Sequence, residues 1–416
     1  MFTLKQLNIS GFRSLKEVEW KPAALNIVIG PNGSGKSNLI KAIELLSACA
    51  RGTLSKFVNQ EGGLWTLRWD GSDDPLISVG LDIDPPISLA KEAAFAIQLR
   101  TGVAIDRFRG EYQVYEQLTG RFAVEVSEEA AMEGPQEWMG DEEVALFVRN
   151  DEGINILSIA VSDPDGMDSH RNESMLATFT GGEPSVDLSS QGNVFVAKGV
   201  SRYLRIARFY RQFQTRQGST VRTSVVSRRE LQVDEDGENV LQVLHTLYTE
   251  DRPFEQNVND AMRAAFGDDF EELKFVPASD QRIQMRIRWK SLKHDRSAAD
   301  MSDGTLRFLY LLAILGTPNP PPLIVIEEPE VGLHPSMLPI IAEFAQAASE
   351  KCQVIFTTHS IAFLDAFSDK NPQITVTQME EGQTKVKVLD GVKLASWLNE
   401  YSLGSLYATG ELEAME

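Results

Sequence analysis

Short apolar runs alternate with segments of helical spacing along this chain. An apolar run at 25–29 precedes a segment at 38–48 whose apolar residues recur at helical intervals. Further apolar runs at 322–326 and 354–356 flank the same pattern near the end of the chain, where a long apolar helix is predicted at 306–315. Buried strands that alternate with helices in this way predict an α/β fold.

Other segments extend this pattern. Further strands are predicted at 4–9, 77–83, 282–290, 374–378 and 385–389. Apolar residues at helical spacing between 239 and 266 predict helices, and this region is expected to form a helical subdomain.

The clearest chemical signal is the loop at residues 30–37, which reads GPNGSGKS and follows the apolar run at 25–29 directly. In such a glycine-rich loop, successive backbone N–H groups and the helix N-terminus wrap phosphates. Lys36 is placed to reach the β- and γ-phosphates, and Ser37 is placed to ligate Mg²⁺. A chance glycine-rich turn is the alternative, but the flanking strand and helix are the context that the motif requires. The loop therefore predicts binding of a nucleoside triphosphate.

A second signal is the pair of acids that ends the apolar strand at 322–326. Glu327 is placed to hold the metal shell, and Glu328 is the candidate general base that polarises an attacking water. Paired glutamates at a strand end are more often the solvated start of a loop. Two other segments favour the catalytic interpretation.

The first segment is Ser302, Asp303, Gly304 and Thr305, which open the long apolar helix. Ser302 or Asp303 could be an ordinary N-cap, but such a helix start also presents free N–H groups to an anion. The second is His359, which follows an apolar strand and two threonines. Its neutral imidazole could donate to a γ-phosphate oxygen or orient the water. A structural histidine is the alternative, and its order after the glutamates favours the catalytic role.

In this order the motifs resemble those of the ABC-type ATPases of the RecF, SMC and OLD-like group. The correspondence assigns 30–37 to the Walker A loop, 302–305 to the signature loop, 324–328 to the Walker B strand, 329–334 to the D-loop and 358–360 to the histidine switch. The nucleotide-binding set that the resemblance implies is Arg13, Ser14, Gly30, Pro31, Asn32, Gly33, Ser34, Gly35, Lys36, Ser37 and Asn38. The implied fold is an α/β, P-loop ABC-type ATPase head with mixed sheets and a helical subdomain.

Two positions depart from the usual pattern of this group. The signature reads SDGT instead of the commoner serine-glycine-glycine form, and Glu327 stands where an aspartate is usual. Both recur in OLD-like and RecF-like ATPases, so we interpret them as marks of a subfamily. Because glutamate is one methylene longer than aspartate, a water-mediated contact of Glu327 with Mg²⁺ is favoured over a direct one.

The resemblance implies a mechanism shared between two subunits. The signature loop of one subunit would meet the γ-phosphate held by the P-loop of another, so a homodimer or a larger even-numbered assembly would enclose two nucleotides. Ser302 and the N–H groups at Gly304 would act across this interface. Lys36 would neutralise charge together with Mg²⁺, Glu328 would orient the water, and His359 would sense the γ-phosphate. The expected cofactors are ATP and Mg²⁺.

Composition indicates a soluble intracellular protein, and a cytoplasmic location is expected. The 416 residues contain only two cysteines, Cys49 and Cys352, so neither a disulfide framework nor a paired-cysteine zinc site is expected. The longest apolar stretch, at 306–315, is well short of the roughly 20 residues that span a bilayer. No charged-then-apolar leader opens the chain, and no membrane partner is expected.

The formal net charge of −20 argues against a generally basic surface that coats DNA. Arginines are nevertheless concentrated at positions 202, 205, 208, 211, 216, 222, 228 and 229, interleaved with aromatic residues. They could track a phosphate backbone. Salt bridges with the acid-rich remainder of the chain, or with a partner subunit, are the favoured interpretation. The acidic segment 125–152 is expected to be an exposed loop.

Four regions are expected along the chain. They are a nucleotide-binding lobe with Walker A at 1–120, an irregular or β insertion of unknown role at 121–200, a helical subdomain with the arginine-rich segment at 201–290, and a lobe with the signature, Walker B, D-loop and histidine switch at 291–416. No heptad repeat for a coiled-coil arm is found. The tail after His359 lacks the aspartate-x-aspartate metal site of a TOPRIM nuclease domain. A bare ATPase module is therefore expected.

Three functions remain open. The favoured one is an ATP-hydrolysing subunit that dimerises around ATP and regulates a separately encoded effector, such as a nuclease, in a bacterial antiviral defence system. The alternative is an ATP-gated DNA-binding clamp in repair or replication. A transporter subunit or small-molecule kinase is disfavoured, because the first needs a membrane partner and the second does not need the SDGT, EEPE and THS motifs. Gln60 is a weak candidate for the water-positioning glutamine, since a surface loop residue fits it equally well.

Overall fold

The computed structural model describes residues 2–71, 77–84, 94–105, 112–123, 143–150, 153–155 and 191–415. Most of the insertion expected at 121–200 lies outside these described residues, as does most of the acidic segment 125–152. The described part of that acidic segment, Glu143–Asn150, is a strand. The prediction of a loop is wrong there, because the strand pairs on both sides within a larger sheet.

The chain divides into two compact units, and distant parts of the sequence contribute to each. The first unit contains Met1–Pro22, Pro31–Ala207 and Thr377–Val388, and the second contains Ala23–Gly30, Arg208–Val376 and Leu389–Glu416.

The strands of the described residues are numbered here in chain order. They are β1 Thr3–Phe12, β2 Leu15–Trp20, β3 Leu25–Ile29, β4 Ile77–Asp84, β5 Ala94–Ile105, β6 Tyr112–Ala123, β7 Glu143–Asn150, β8 Gly153–Asn155, β9 Arg208–Tyr210, β10 Val225–Val226, β11 Phe270–Ala278, β12 Arg282–Trp289, β13 Arg296–Ser297, β14 Leu323–Glu327, β15 Gln353–Thr357, β16 Gln373–Glu380 and β17 Gln383–Val388.

The α-helices are numbered in the same way. They are α1 Lys36–Arg51, α2 Leu54–Gln60, α3 Leu64–Leu67, α4 Gln191–Ile206, α5 Val240–Glu250, α6 Arg252–Phe266, α7 Asp303–Leu315, α8 Leu338–Ser349, α9 Ile361–Asp365, α10 Gly391–Leu398, α11 Leu403–Ala408 and α12 Glu411–Ala414. Short 3₁₀ helices lie at Thr220–Arg222, Ala298–Asp300 and Pro335–Met337.

The first unit is built on an antiparallel sheet with the strand order β2-β1-β4-β5-β6-β7-β8. In β1, buried Leu7 and Ile9 alternate with more exposed residues, as expected for a strand with one face on a core. Leu7 lies opposite Trp20 of β2 on one side and Leu81 of β4 on the other. In the same unit α1 packs against α4, and β17 packs against β2.

The second unit contains a parallel sheet with the strand order β16-β3-β15-β14-β9. Every residue of β3 and of β15 is buried. Uniformly apolar strands of this kind fit the interior of a parallel sheet, where helices cover the faces, and α8 packs against both β3 and β15. Because parallel strands end at a common edge, residues that follow β3, β9, β14 and β15 are brought to one side of the unit.

The long apolar helix is also explained by burial in the second unit. All residues of α7 from Phe308 to Leu315 are buried, and α7 packs against α5 and α8. A helix that is apolar on every side is stable only when neighbours surround it.

The region expected as a helical subdomain combines two helices with a sheet. α5 and α6 lie where the helical spacing predicted them, and they are followed by an antiparallel sheet in the order β10-β12-β11. In β12 the alternating residues Ile283, Met285 and Ile287 are buried, which confirms the predicted strand. The α/β class with mixed sheets is confirmed. In the part of the chain that the structure describes, no helix is both long and apolar enough to span a membrane.

Candidate nucleotide site

The carboxyl edge of the parallel sheet collects three of the motifs. Gly30 follows β3, Glu328 follows β14, and Thr358 follows β15. Backbone hydrogen bonds hold them in place, since the Glu328 N–H donates to the Thr357 carbonyl at 2.8 Å and the Thr358 N–H donates to the Val28 carbonyl at 3.1 Å. Motifs far apart in sequence therefore meet at one edge of the parallel sheet.

Glu328 and His359 lie side by side at this edge. Oε1 of Glu328 is 3.3 Å from Nδ1 of His359, and the two side chains are 45% and 48% exposed. Glu328 has a φ of 48°, in the left-handed region that non-glycine residues rarely adopt. Such strain is concentrated at functional sites, where the surrounding structure maintains it. The pair is therefore accessible to water and held in a fixed backbone geometry.

Glu330 lies beneath this pair and is mostly buried. The Thr358 hydroxyl donates to its Oε1 at 2.5 Å, while its Oε2 is buried with no hydrogen-bond partner among the described residues. Burial is the largest cause that raises the pKa of the Glu330 carboxyl, against the opposing hydrogen bond from Thr358. Glu330 thus joins the D-loop to the histidine-switch segment.

An arginine side chain lies beside Glu327. β9 pairs in parallel with β14, so Arg211, directly after β9, lies next to Glu327, and its Nε donates to Glu327 Oε1 at 2.5 Å. Two more residues of the arginine-rich segment pair with acids: Arg222 with Asp303, and Arg229 with Glu250. The salt-bridge interpretation is confirmed for these three arginines.

A glutamine that was not among the predicted site residues follows the same strand, β9. Gln212 follows Arg211 at the carboxyl edge that carries Glu328, whereas Gln60 is the last residue of α2 in the first unit. The position of Gln212 makes it the better candidate for positioning water. β9 has only three residues, so its hydrophobic pattern was too short to be noticed.

The Walker A loop lies in the first unit, where it leads into α1. Gly35 occupies the N-cap position with a φ of 102°, a left-handed conformation that favours glycine. A Cβ at Gly35 would clash with the side chain of Thr384. The Ser34 hydroxyl lies 2.6 Å from that of Thr377, and Lys36 Nζ donates to the Pro31 carbonyl at 3.0 Å. The loop is therefore closed on itself, with its lysine folded across it.

The exposed part of the loop is the part expected to meet phosphate. Pro31, Asn32 and Gly33 are exposed, and Ser37 is exposed in the first turn of α1. Because Gly35 has no side chain, no N-cap side chain competes with an anion for the start of α1.

Arg13 and Ser14 lie in the turn between β1 and β2. Arg13 has a φ of 50° and its guanidinium donates to Glu61, which also pairs with Lys41. Ser14 Oγ accepts from Asn38 at 2.8 Å and lies 2.6 Å from the Thr384 hydroxyl. The structure thus brings Ser14 and Asn38 of the predicted set together, and it holds Arg13 on a carboxylate.

The signature residues begin α7 in the second unit. Ser302 is the N-cap, and its hydroxyl accepts from the Thr305 N–H at 3.1 Å. The N-capping interpretation of Ser302 is therefore correct, and it is compatible with a second role. A Cβ at Gly304 would lie 2.6 Å from the Gly332 carbonyl oxygen of the D-loop, so glycine is required there.

Asp303, the departure from the usual signature, has a specific partner. Its Oδ1 accepts from Arg222 at 2.7 Å. This hydrogen bond is the largest cause that lowers the pKa of the Asp303 carboxyl. Asp303 is therefore held as a carboxylate at the start of the signature helix.

A polar groove of about 560 Å³ opens beside the signature loop in the second unit. It is lined by Arg211, Gln212, Phe213, Gln214, Thr215, Arg216, Asp303, Arg307, Glu328 and Val331. Three arginines therefore share the groove with Asp303 of the signature and with Glu328, the candidate base.

A parallel sheet whose strands lead to a glycine-rich phosphate loop, an acid pair and a histidine defines a P-loop nucleotide-binding protein. Comparison with known families agrees with this class. Residues 186–365 match the family model described as "AAA domain, putative AbiEii toxin, Type IV TA system", and residues 2–74 match the model described as "AAA ATPase domain".

Two curated proteins are similar in sequence to this chain. The chain is 23% identical over 435 aligned residues to the OLD nuclease of Thermus scotoductus, an alignment that covers 99% of this chain and 70% of that protein. It is also 28% identical over 122 residues to the DNA replication and repair protein RecF of Chlorobium phaeobacteroides, covering 28% of this chain and 30% of that protein.

Solved structures show the same fold. An SMC head bound to the C-winged helix domain of ScpA superposes with a TM-score of 0.55 at 13% identity, covering 94% of this chain and 99% of the other. The Pyrococcus furiosus SMC head with an extended coiled coil, bound to the C-terminal domain of ScpA, gives a TM-score of 0.50 at 16% identity, covering 96% and 99%. These matches support an ABC-type ATPase of the RecF, SMC and OLD group, and the structure has the head fold that the motifs predicted. The chain binds nucleotide and hydrolyses ATP.

Proposed function

We propose that two copies of this chain close around ATP, that hydrolysis reopens them, and that this cycle controls a separately encoded effector. The observation that carries the proposal is the signature loop of the second unit. Ser302 and Asp303 are exposed at the start of a 13-residue helix, and the groove beside them contains Arg216 and Arg307. Helix N–H groups and arginines suit a phosphate that approaches from another molecule.

Three side chains would perform the chemistry. Lys36 would bind the β- and γ-phosphates, after leaving the Pro31 carbonyl that it now contacts. Glu328 would orient the attacking water, and His359, 3.3 Å from it, would sense the γ-phosphate. Phosphoryl transfer needs positioning and charge stabilisation more than covalent chemistry, so a fixed and accessible pair suits the task.

The residues present fit Mg²⁺. Within the described residues there is no group of three or more His, Cys, Asp or Glu side chains that could hold a metal ion. Mg²⁺ typically takes only one or two carboxylates and completes its shell with water and phosphate oxygens. The Ser37 hydroxyl and the Glu327 carboxylate are ligands of that kind. When bound, Mg²⁺ supplies positive charge to the phosphates, and Arg211 maintains Glu327 beside the base.

The names of similar proteins support control of an effector. One is named a nuclease, and one matching family model is described with a toxin of a type IV toxin–antitoxin system. We propose on this basis that the ATPase cycle of this chain releases or activates a destructive partner, as part of a bacterial antiviral defence system.

The test compares wild type with Glu328→Gln by size-exclusion chromatography with light scattering, with and without ATP and Mg²⁺. Glu328→Gln should keep ATP binding and form stable dimers, while turnover falls by roughly 10²- to 10⁴-fold because the base is lost. Glu343→Gln on the exposed surface of α8 is the matched control and should behave as wild type. A Glu328→Gln protein that stays monomeric with ATP, or that hydrolyses at the parental rate, would contradict the proposal.

The alternative function, a DNA clamp, is favoured by the similarity to a DNA replication and repair protein. Fluorescence anisotropy with labelled duplex DNA at about 50 mM salt separates the two functions. Binding that needs ATP and weakens steeply between about 50 and 200 mM salt would support the clamp. It should also be lost on changing the exposed residues Arg216 and Arg228 to Glu. Absence of DNA binding under these conditions favours the effector.

A further inference from the structure

Arg222 is a guanidinium buried deep in the second unit. It is the last residue of the 3₁₀ helix Thr220–Arg222, and its side chain is 6% exposed. A buried cation is expensive unless it is fully hydrogen-bonded. The hydrogen-bond partners of Arg222 therefore show which segments this buried charge holds together.

The partners of Arg222 lie on two separate segments. Nε donates to the Thr215 carbonyl at 2.5 Å, in the segment that follows β9. Nη1 donates to the carbonyls of Met301 at 2.7 Å and Ala299 at 3.0 Å, directly before the signature. Nη2 donates to Asp303 Oδ1 at 2.7 Å. Only the planar fork of arginine presents donors in these directions at once.

Asp303 completes this arrangement from the other side. Its carboxylate accepts from Nη2 of Arg222, while the Met301 carbonyl accepts from Nη1. Arg222 and residues 301–303 thus form a closed hydrogen-bonded ring that has Ser302 between its two attachment points, Met301 and Asp303. A glycine at position 303, as in the commoner signature, could not form this ring. The unusual aspartate at position 303 of the signature and the buried Arg222 therefore depend on each other.

We propose that Arg222 is a positioning residue that acts through Asp303 to hold the signature loop in the geometry that binds the γ-phosphate of a second copy's ATP. This inference rests on the proposed ATP-dependent dimer. Fixing the loop before association removes the ordering cost that a flexible loop would add to dimer formation. Through the Thr215 carbonyl, Arg222 also ties the signature loop to the segment that begins at Arg211, which holds Glu327.

The experiment measures dimer formation in the Glu328→Gln background, where ATP is retained. Asp303→Asn is the main variant, because residue 303 is 63% exposed and the amide has nearly the same shape. We expect unchanged binding of a fluorescent ATP analogue and only a small fall in the melting temperature. The dimer dissociation constant in sedimentation experiments should rise by about tenfold to a hundredfold, as expected when a charge-assisted hydrogen bond is lost.

Three further variants sharpen the test. Arg222→Gln should weaken the dimer at least as much, and Arg222→Lys should not restore it, because an ammonium cannot reach both segments. Arg229→Gln, in the same segment but paired with Glu250 at the surface, is the control and should leave the dimer unchanged. If the Arg222 variants do not fold, the dimer dissociation constant of Asp303→Asn alone tests the positioning role.

The outcomes separate this inference from the function on which it rests. If Glu328→Gln alone does not dimerise with ATP, the proposed function and this inference both fail. If Glu328→Gln dimerises and Asp303→Asn does so equally well, only the positioning role fails. Adding Asp303→Asn to Arg222→Gln should cause no further loss. A fully additive loss would mean that Asp303 contacts the partner's nucleotide directly, and it would overturn the positioning role.

Discussion

The two helix starts that this chain offers to phosphate are built in opposite ways. At α1 the N-cap is Gly35, which has no side chain, and the exposed residues of the loop before it are Pro31, Asn32 and Gly33. At α7 the N-cap is Ser302, whose hydroxyl already accepts from Thr305, and the first residue is a carboxylate. One start has no side-chain cap, and the other is capped by a side chain of its own subunit.

This difference suggests a division of tasks. An uncapped helix start binds phosphate by itself, since the N–H groups and the helix dipole both favour an anion. The start of α7, which is capped and carries the Asp303 carboxylate, would bind a lone phosphate only weakly. It becomes useful when a second copy delivers the phosphate in a fixed position. The start of α1 would bind the nucleotide of its own subunit. The start of α7 would contact phosphate only after a second copy has bound.

The strongest test of this comparison is Gly35→Ala. The alanine Cβ would clash with Thr384, and the φ of 102° is unfavourable for any L side chain. We expect the free energy of unfolding to fall by about 1–3 kcal/mol, with loss of ATP binding measured by isothermal titration calorimetry.

Gly218→Ala is the control for that variant. Gly218 also has a positive φ, of 87°, but an added Cβ would have nothing within 4 Å. It should lose stability through strain alone and keep ATP binding. Equal loss of ATP binding in the two variants would show that the loss comes from general destabilisation and not from the close packing of the P-loop at Gly35.

A smaller effect is expected from Ser302→Ala. Removing the cap should lower the free energy of unfolding by about 1 kcal/mol, measured by urea denaturation. Binding of ATP to the monomer should be unchanged, while the ATP-dependent dimer is lost. A Ser302→Thr variant, which can still cap, should recover the stability. If Ser302→Ala weakened ATP binding to the monomer, the proposed division between the two starts would be wrong.

The smallest effect concerns pH. Arg222 lowers the pKa of Asp303 in the folded protein below its ordinary value of 3.8. The stability that Asp303 contributes is therefore present above that value and is lost as pH falls through the folded pKa. Unfolding curves of wild type and Asp303→Asn should accordingly differ above about pH 4 and converge below it. A difference that stays constant down to pH 3 would argue against the pairing.

Much of the site was visible in the sequence because its motifs end long apolar strands. β3 and β15 are buried along their whole length and β14 as far as Ile326, so their hydrophobic runs and the polar residues that follow them were both clear. β9 has only three residues and was not predicted, so neither Gln212 nor the specific pairing of Arg211 with Glu327 could be predicted. Arg222 and Asp303 are 81 residues apart. Only folding shows that an exposed acid and a distant arginine belong together.

The position of β3 in its sheet has a consequence for how the protein is made. β3 pairs with β15 and β16, and Asn26 bonds to the Val354 carbonyl 328 residues further along the chain. A ribosome adding about 5–20 residues per second needs roughly 15–60 s to make that distance. Throughout this time an apolar strand has emerged without its neighbours. Nascent chains of this protein should therefore depend on chaperones until the last fifth of the sequence has been synthesised.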